Sequence, residues 1–149
     1  GANDEMLARK TRAVAQGLAV NDVASLDALG VLAAVGGLEH AAMAGFVLGG
    51  AAARVPVVLD GVIAVSSALA AVALAPEAGG YLFAGHLGAE PGLAVAIERL
   101  GLSPIIRLGM RLGEGSGAAL ALPVLTAAAR IMREMSHFSD GRVSAEQES

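Results

Sequence analysis

The feature that most constrains this chain is the run Val55-Pro56-Val57-Val58-Leu59-Asp60-Gly61, followed at once by an uncharged apolar stretch over residues 62–75 that Pro76 stops. Consecutive β-branched and aliphatic residues suit a strand covered on both faces, the kind found in parallel sheets. The stretch behind it is too long for a strand and predicts a helix. A strand feeding straight into a helix is half of a βαβ unit, and it leaves Asp60 at the strand's C-terminal edge. Ligands of open α/β sheets sit beyond that edge.

The rest of the chain repeats this alternation. Residues 6–20, 24–35 and 38–53 read as helices, broken at Asn21-Asp22 and Gly36-Gly37, with Asp4 and Glu5 as acids of the first turn. Residues 81–86 form a second short strand, and Pro91 lies near the first turn of a helix that runs to Leu100 and closes at Gly101. Ile105-Ile106-Arg107-Leu108 reads as a third short strand or an extended segment. Gly113-Glu114-Gly115-Ser116-Gly117 is a loop, a long apolar helix follows over residues 118–138, and residues 139–149 are a polar, disordered tail. The expected class is α/β with parallel strands. Two or three strands make a small sheet, which suggests that a companion half completes it.

Composition narrows the function classes. Of 149 residues 55% are hydrophobic but only 3% aromatic, so the core is built from Ala, Leu and Val. The net charge of −4 leaves no electrostatic footprint for nucleic acid. Without cysteine there is no disulfide, no thiolate metal site and no Cys nucleophile, which fits a reducing, cytoplasmic setting. The opening residues 1–10 are polar and do not read as a signal peptide. The mean hydropathy of +0.64 raises a membrane-associated helical protein as one reading. The longest uncharged stretches, between Asp60 and Glu77 and between Glu114 and Arg130, fall short of the roughly 18 residues of a span and read as buried helices.

Three loops at the strand ends can carry chemistry: Asp60-Gly61, the segment from His86 to Gly92, and the glycine-flanked Glu114. All three are expected to gather on one edge. The string Arg111-Leu112-Gly113-Glu114-Gly115-Ser116-Gly117 is the strongest local signal. Glycines on both sides of a carboxylate let backbone approach a ligand, and the helix that follows offers its N-terminus to an anion. The same carboxylate can serve as a general base. A helix-capping Glu in a tight turn is the competing reading, and the string lacks the Gly-Lys-Ser/Thr of a nucleotide-binding P-loop. Lys10, beside Arg9 and Arg12, reads either as a phosphate ligand or as part of a solvated basic face. His86 reads as a satisfied, partly buried imidazole, and no metal-ligand spacing links His40, His86 and His137.

Several strings in order resemble the nicotinate-nucleotide–dimethylbenzimidazole phosphoribosyltransferases. They are Gly1-Ala2-Asn3 with Lys10; Val35-Gly36-Gly37-Leu38-Glu39 with Ala42-Met43-Ala44-Gly45; the strand ending in Asp60-Gly61; Gly85-His86 with Ala89-Glu90-Pro91-Gly92; and Arg111 through Ala121. The resemblance covers residues 1–138 and implies a Rossmann-like, three-layer α/β fold with parallel strands, of which this is the C-terminal part, plus helices of a small helical domain. It implies transfer of phosphoribosyl from nicotinate mononucleotide to dimethylbenzimidazole, without metal or cofactor, by a cytoplasmic homodimer. Glu114 then matches the catalytic base and Lys10 the phosphate-contacting Lys. Leu112 and Gly113 border the base pocket, Gly115 belongs to the same loop, and Gly1 and Asp60 lie in motifs that line the nucleotide site. Two positions depart from the pattern. Gly88 stands where a phosphate-holding Ser is usual, leaving a backbone N–H for that task, and Leu93 stands where His is frequent. Catalysis is expected to need an N-terminal half, or a second chain that completes the site. The alternative is a non-catalytic small-molecule-binding or interaction module that keeps the fold.

Overall fold

A computed structural model describes residues 4–136. Gly1, His137, the expected helix end at 138 and the tail 139–149 lie outside the described residues. In chain order the elements are α1 (Asp4–Val20), a 3-10 turn (Val23–Ser25), α2 (Ala28–Val35), α3 (Leu38–Ala52), β1 (Val57–Leu59), α4 (Val62–Leu74), a second 3-10 turn (Pro76–Tyr81), β2 (Leu82–Ala84), α5 (Pro91–Arg99) and α6 (Ser116–Glu134).

Most boundaries fall where the sequence places them. The expected helix over residues 24–35 is the exception, because Asp27 interrupts it. Its carboxylate accepts the Gly30 backbone N–H at 2.7 Å, so the helix starts at Ala28 and the preceding residues form a separate turn. At the other end, α6 begins at Ser116, two residues earlier than expected, with Gly115 at its N-cap position.

β1, α4 and β2 form the βαβ unit. The strands pair in parallel with Val57 opposite Leu82, Val58 opposite Phe83 and Leu59 opposite Ala84. The Gly85 N–H continues the ladder to the Leu59 carbonyl at 2.8 Å. The third strand reduces to an extended segment with a single parallel bridge, His86 to Ile106. The Ile105 and Ile106 N–H groups donate to the Ala84 and Gly85 carbonyls, and the Leu87 N–H donates to Ile106.

The core lies on one face of this small sheet. Val57, Leu59, Leu82 and Ala84 point to that side and are buried with Ala44 and Val47 of α3, Val65, Ala68 and Ala71 of α4, and Leu93 and Ile97 of α5. On the opposite face Phe83 remains 37% exposed. α4 is the central helix, contacting α2, α3, α5 and β1. Its small side chains make that possible. Ser67, fully buried, returns its hydroxyl to the Ile63 carbonyl at 2.8 Å, so it costs the core no unsatisfied group. By contrast α1 buries none of its residues. Among the described residues no helix is long and apolar enough to cross a membrane.

Gly85 decides how α6 meets the sheet. A Cβ there would stand 2.8 Å from the Ala118 Cα and 2.9 Å from the Leu59 carbonyl oxygen, both backbone atoms that cannot swing away. Gly85→Ala is therefore expected to destabilise the fold by about 1–3 kcal/mol, read as a lower urea midpoint in circular dichroism. An unchanged midpoint would mean that α6 does not seat on the end of β2.

Candidate functional site

The C-terminal ends of β1 and β2 and the start of α6 converge on Asp60. Its Oδ1 accepts the Ala118 backbone N–H at 2.9 Å, and its Oδ2 accepts the Gly115 N–H at 3.2 Å. Asp60 is thus a long-range N-cap, satisfying donors that the first turn of a helix otherwise leaves open. Its negative charge also lies at the positive end of the α6 dipole.

His86 sits behind this carboxylate. It is 5% exposed, and its Nδ1 is 3.6 Å from the Asp60 Oδ1, without a hydrogen bond. The expectation of a satisfied imidazole is corrected on that point: the ring is more buried than expected and, among the described residues, its Nδ1 has no hydrogen-bond partner. It packs against Gly117, where any Cβ would overlap the imidazole. The Ser116 Oγ is a second buried atom without a hydrogen bond at the same junction. The three loops expected on one edge do gather there.

Glu114 is the exposed member of the group. Its φ is +55°, and Gly113 and Gly115 on either side both have φ of +78°. For the glycines this conformation is free; for Glu it costs on the order of 1–2 kcal/mol. The Ser116 N–H donates to the Gly113 carbonyl at 3.1 Å and closes the turn. The Glu114 side chain makes no hydrogen bond or ion pair among the described residues. The helix-capping reading is therefore not what the geometry displays, since Asp60 performs the capping. Leu112, two residues before Glu114 in the same loop, is 76% exposed.

Gly88 lies on the far side of His86. A Cβ at this position would be 3.2 Å from the His86 Nε2, 3.2 Å from the Leu93 Cδ2 and 2.7 Å from the Glu90 Oε2. Its own N–H makes no hydrogen bond within the described residues. Leu93 is completely buried, so this departure from the family pattern is a core residue. Gly88 and Leu93 form one packing unit, with the leucine methyl next to the space a serine side chain would need.

Lys10 is not brought into this group. It is exposed on α1, which packs on the turn Val23–Ser25, and it borders a shallow hollow with Thr11, Val14 and Leu18. The apolar cavity of about 460 Å³ between α2 and α4, bordered by His40 and Arg99, also lies apart from Glu114. Among the described residues no three His, Cys, Asp or Glu side chains converge to hold a metal.

A phosphoribosyltransferase family model matches residues 1–143. The relatives it resembles carry a more specific name. The nicotinate-nucleotide–dimethylbenzimidazole phosphoribosyltransferase of Salinispora tropica is 55% identical over 144 residues, covering 97% of this chain and 40% of that protein. The enzyme of the same name from Desulforudis audaxviator is 50% identical, covering 97% and 41%.

This chain belongs to the phosphoribosyltransferase family that the matching model describes. The likeness extends to the fold: CobT from Thermus thermophilus superposes with a TM-score of 0.89 at 46% identity, over 97% of this chain and 43% of that one. The chain thus spans about two fifths of the length of the family members it matches. The Rossmann-like α/β class expected from the resemblance stands.

Backbone strain at an exposed, unpartnered carboxylate is a mark of a functional position. Glu114→Gly is accordingly expected to raise stability by about 1 kcal/mol through release of the left-handed strain, measured as a higher denaturation midpoint. A fall in stability would make Glu114 a structural residue of the turn.

Proposed function

We propose that this chain carries the catalytic carboxylate of a phosphoribosyl transfer from nicotinate mononucleotide to dimethylbenzimidazole, yielding α-ribazole phosphate and nicotinate. One observation carries the reading. At the α6 N-terminus, where a phosphate would otherwise be favoured, Asp60 already holds the Gly115 and Ala118 N–H groups, while Glu114 projects from a strained turn, unpaired among the described residues. Such a loop presents a carboxylate to a ligand and does not wrap an anion. The family names of the relatives supply the substrates.

The chemistry follows from what a neutral azole needs. One benzimidazole nitrogen attacks the anomeric carbon of the ribose as the bond to the nicotinate nitrogen breaks. The N–H proton on the other benzimidazole nitrogen passes to the Glu114 carboxylate, so the product leaves without a positive charge. Nicotinate departs from a cationic pyridinium and takes the bonding pair as a neutral ring nitrogen, which needs little acid assistance. Leu112 and Gly113 border the base. The unbonded N–H of Gly88 is offered to the phosphate, and Lys10, which lies apart from this group in the chain alone, joins it when the N-terminal half or a second chain completes the site. Gly1 lies on the nucleotide side of the site, and Gly115, whose N–H and carbonyl are taken by Asp60 and Ala119, shapes the turn that carries Glu114. Residues 1–138 form the working part of the segment. The reading carries with it a cytoplasmic homodimer, with no cofactor.

Because the chain spans two fifths of its relatives' length, nicotinate release is measured on the chain alone and on the chain mixed with the N-terminal segment of a full-length relative. Release that requires both substrates is expected in at least the mixed sample. Its absence from both would leave a fold-retaining binding module. In the active sample Glu114→Gln lowers kcat at least about 100-fold, the usual contribution of a positioned base, with circular dichroism unchanged. Near-wild-type turnover would remove Glu114 from the role. Lys10→Ala raises KM for nicotinate mononucleotide by roughly tenfold with little change in kcat, the pattern of lost ground-state binding. An unchanged KM would take Lys10 out of the phosphate site.

A further inference from the structure

We infer that Asp60 is the positioning residue for the Glu114 carboxylate and does not touch substrate itself; this rests on the proposed role of Glu114 as the base. Both Asp60 oxygens are committed to backbone N–H groups, that of Gly115 next to Glu114 and that of Ala118 one turn into α6. Upstream, the last tie before the loop is Ile106, bonded to Gly85 and Leu87. From Arg107 to Leu112 the backbone makes no hydrogen bond among the described residues. Glu114 is therefore fixed from its C-terminal side alone, by the turn it shares with Ser116 and by Asp60.

The rest of the junction supports that hold. His86 is buried behind the carboxylate, with its ring against Gly117, and leaves Asp60 little room to rotate off α6. Gly85 and Gly117 let the helix start close enough for the aspartate to reach both N–H groups. Removing the carboxylate frees Gly115 from its anchor. The Gly113-Glu114-Gly115 turn, which spends strain to aim a carboxylate, then relaxes toward ordinary backbone.

The test reads the loop directly and does not depend on turnover. Amide hydrogen exchange and the strong intraresidue amide–Hα contact that a positive φ produces are followed by NMR on the 149-residue chain. In Asp60→Ala, protection at Gly115 and Ala118 falls roughly tenfold, the scale of a lost N-cap, and the positive-φ signature at Glu114 disappears. Protection at Val65 and Ala68 in the core stays as it was. Should Asp60→Ala be too unstable, Asp60→Asn carries the same test. Its amide keeps one acceptor, so loss is confined to one of the two N–H groups. Full protection at both in either variant, with the Glu114 signature kept, overturns the inference. In any preparation that turns over, Asp60→Ala lowers kcat on the order of 100-fold, as a displaced catalytic group does, with KM unchanged and partial recovery in Asp60→Asn. A rise in KM at constant kcat would make Asp60 a substrate contact and likewise overturn it. A wild-type chain without turnover in any sample removes the proposed role of Glu114, and exchange at Gly115 and Ala118 still decides whether Asp60 holds the loop.

Discussion

The hydrogen bonds from Asp60 to the first turn of α6 are the interaction on which the rest of this structure turns. They join the end of β1 to a helix that starts more than fifty residues later in the chain. An N-cap contributes about 1 kcal/mol, and a charged acceptor lies at the upper end of that range. The left-handed conformation of Glu114 costs a similar amount. The cap and the strained turn are of equal weight, so the one can hold the other in place. Few neighbouring interactions could do so, since among the described residues Glu114 makes no side-chain bond and the backbone from Arg107 to Leu112 has no hydrogen bond.

Seating the helix there also explains why small residues cluster at this edge. Gly85 faces the Ala118 backbone, and Gly117 faces the imidazole of His86. A side chain at either position would push α6 away and open the Asp60 contacts. The same crowding reaches Gly88. Where the sequence resemblance leads one to expect a serine, this chain has no side chain, and a buried leucine occupies the adjoining space. The two departures from the family pattern are one adjustment of packing.

The fold was largely legible from the sequence because its signals are local. The run Val57–Leu59 with its following apolar stretch, the glycine and proline breaks, and the acids of the first turn each act within a few residues. Asp27 was missed as a helix start because an aspartate inside an apolar pattern looks like an interruption, and only its bond to the Gly30 N–H identifies it as a cap. Ile105-Ile106 could not be resolved between strand and extended segment because pairing depends on how much of a neighbour is free to receive it. At the site, Glu114 stood out through its flanking glycines. The partnership of Asp60 with Gly115 and Ala118 did not, because contacts across such a separation leave no spacing in the chain. For the same reason His86 read as an ordinary satisfied imidazole. Its neighbours come from β1 and α6, and neither is near it in sequence.

That long-range contact also resolves what a glycine-rich loop at a helix start is for. Such a loop can serve two opposite ends: it can gather N–H groups around an anion, or it can lift a carboxylate out of the chain. The sequence alone admits both, because glycine permits both. The choice depends on whether the helix N-terminus remains open. When an aspartate from the end of a neighbouring strand reaches it, a second anion at the same point would meet a carboxylate of like charge and find the Gly115 and Ala118 donors taken. The carboxylate within the loop is left outside that arrangement, exposed and, among the described residues, unpaired. The protein's own anion at the helix end thus favours the loop's use as a source of negative charge over its use as a phosphate cradle, and it does so with the bonds that hold the loop in shape.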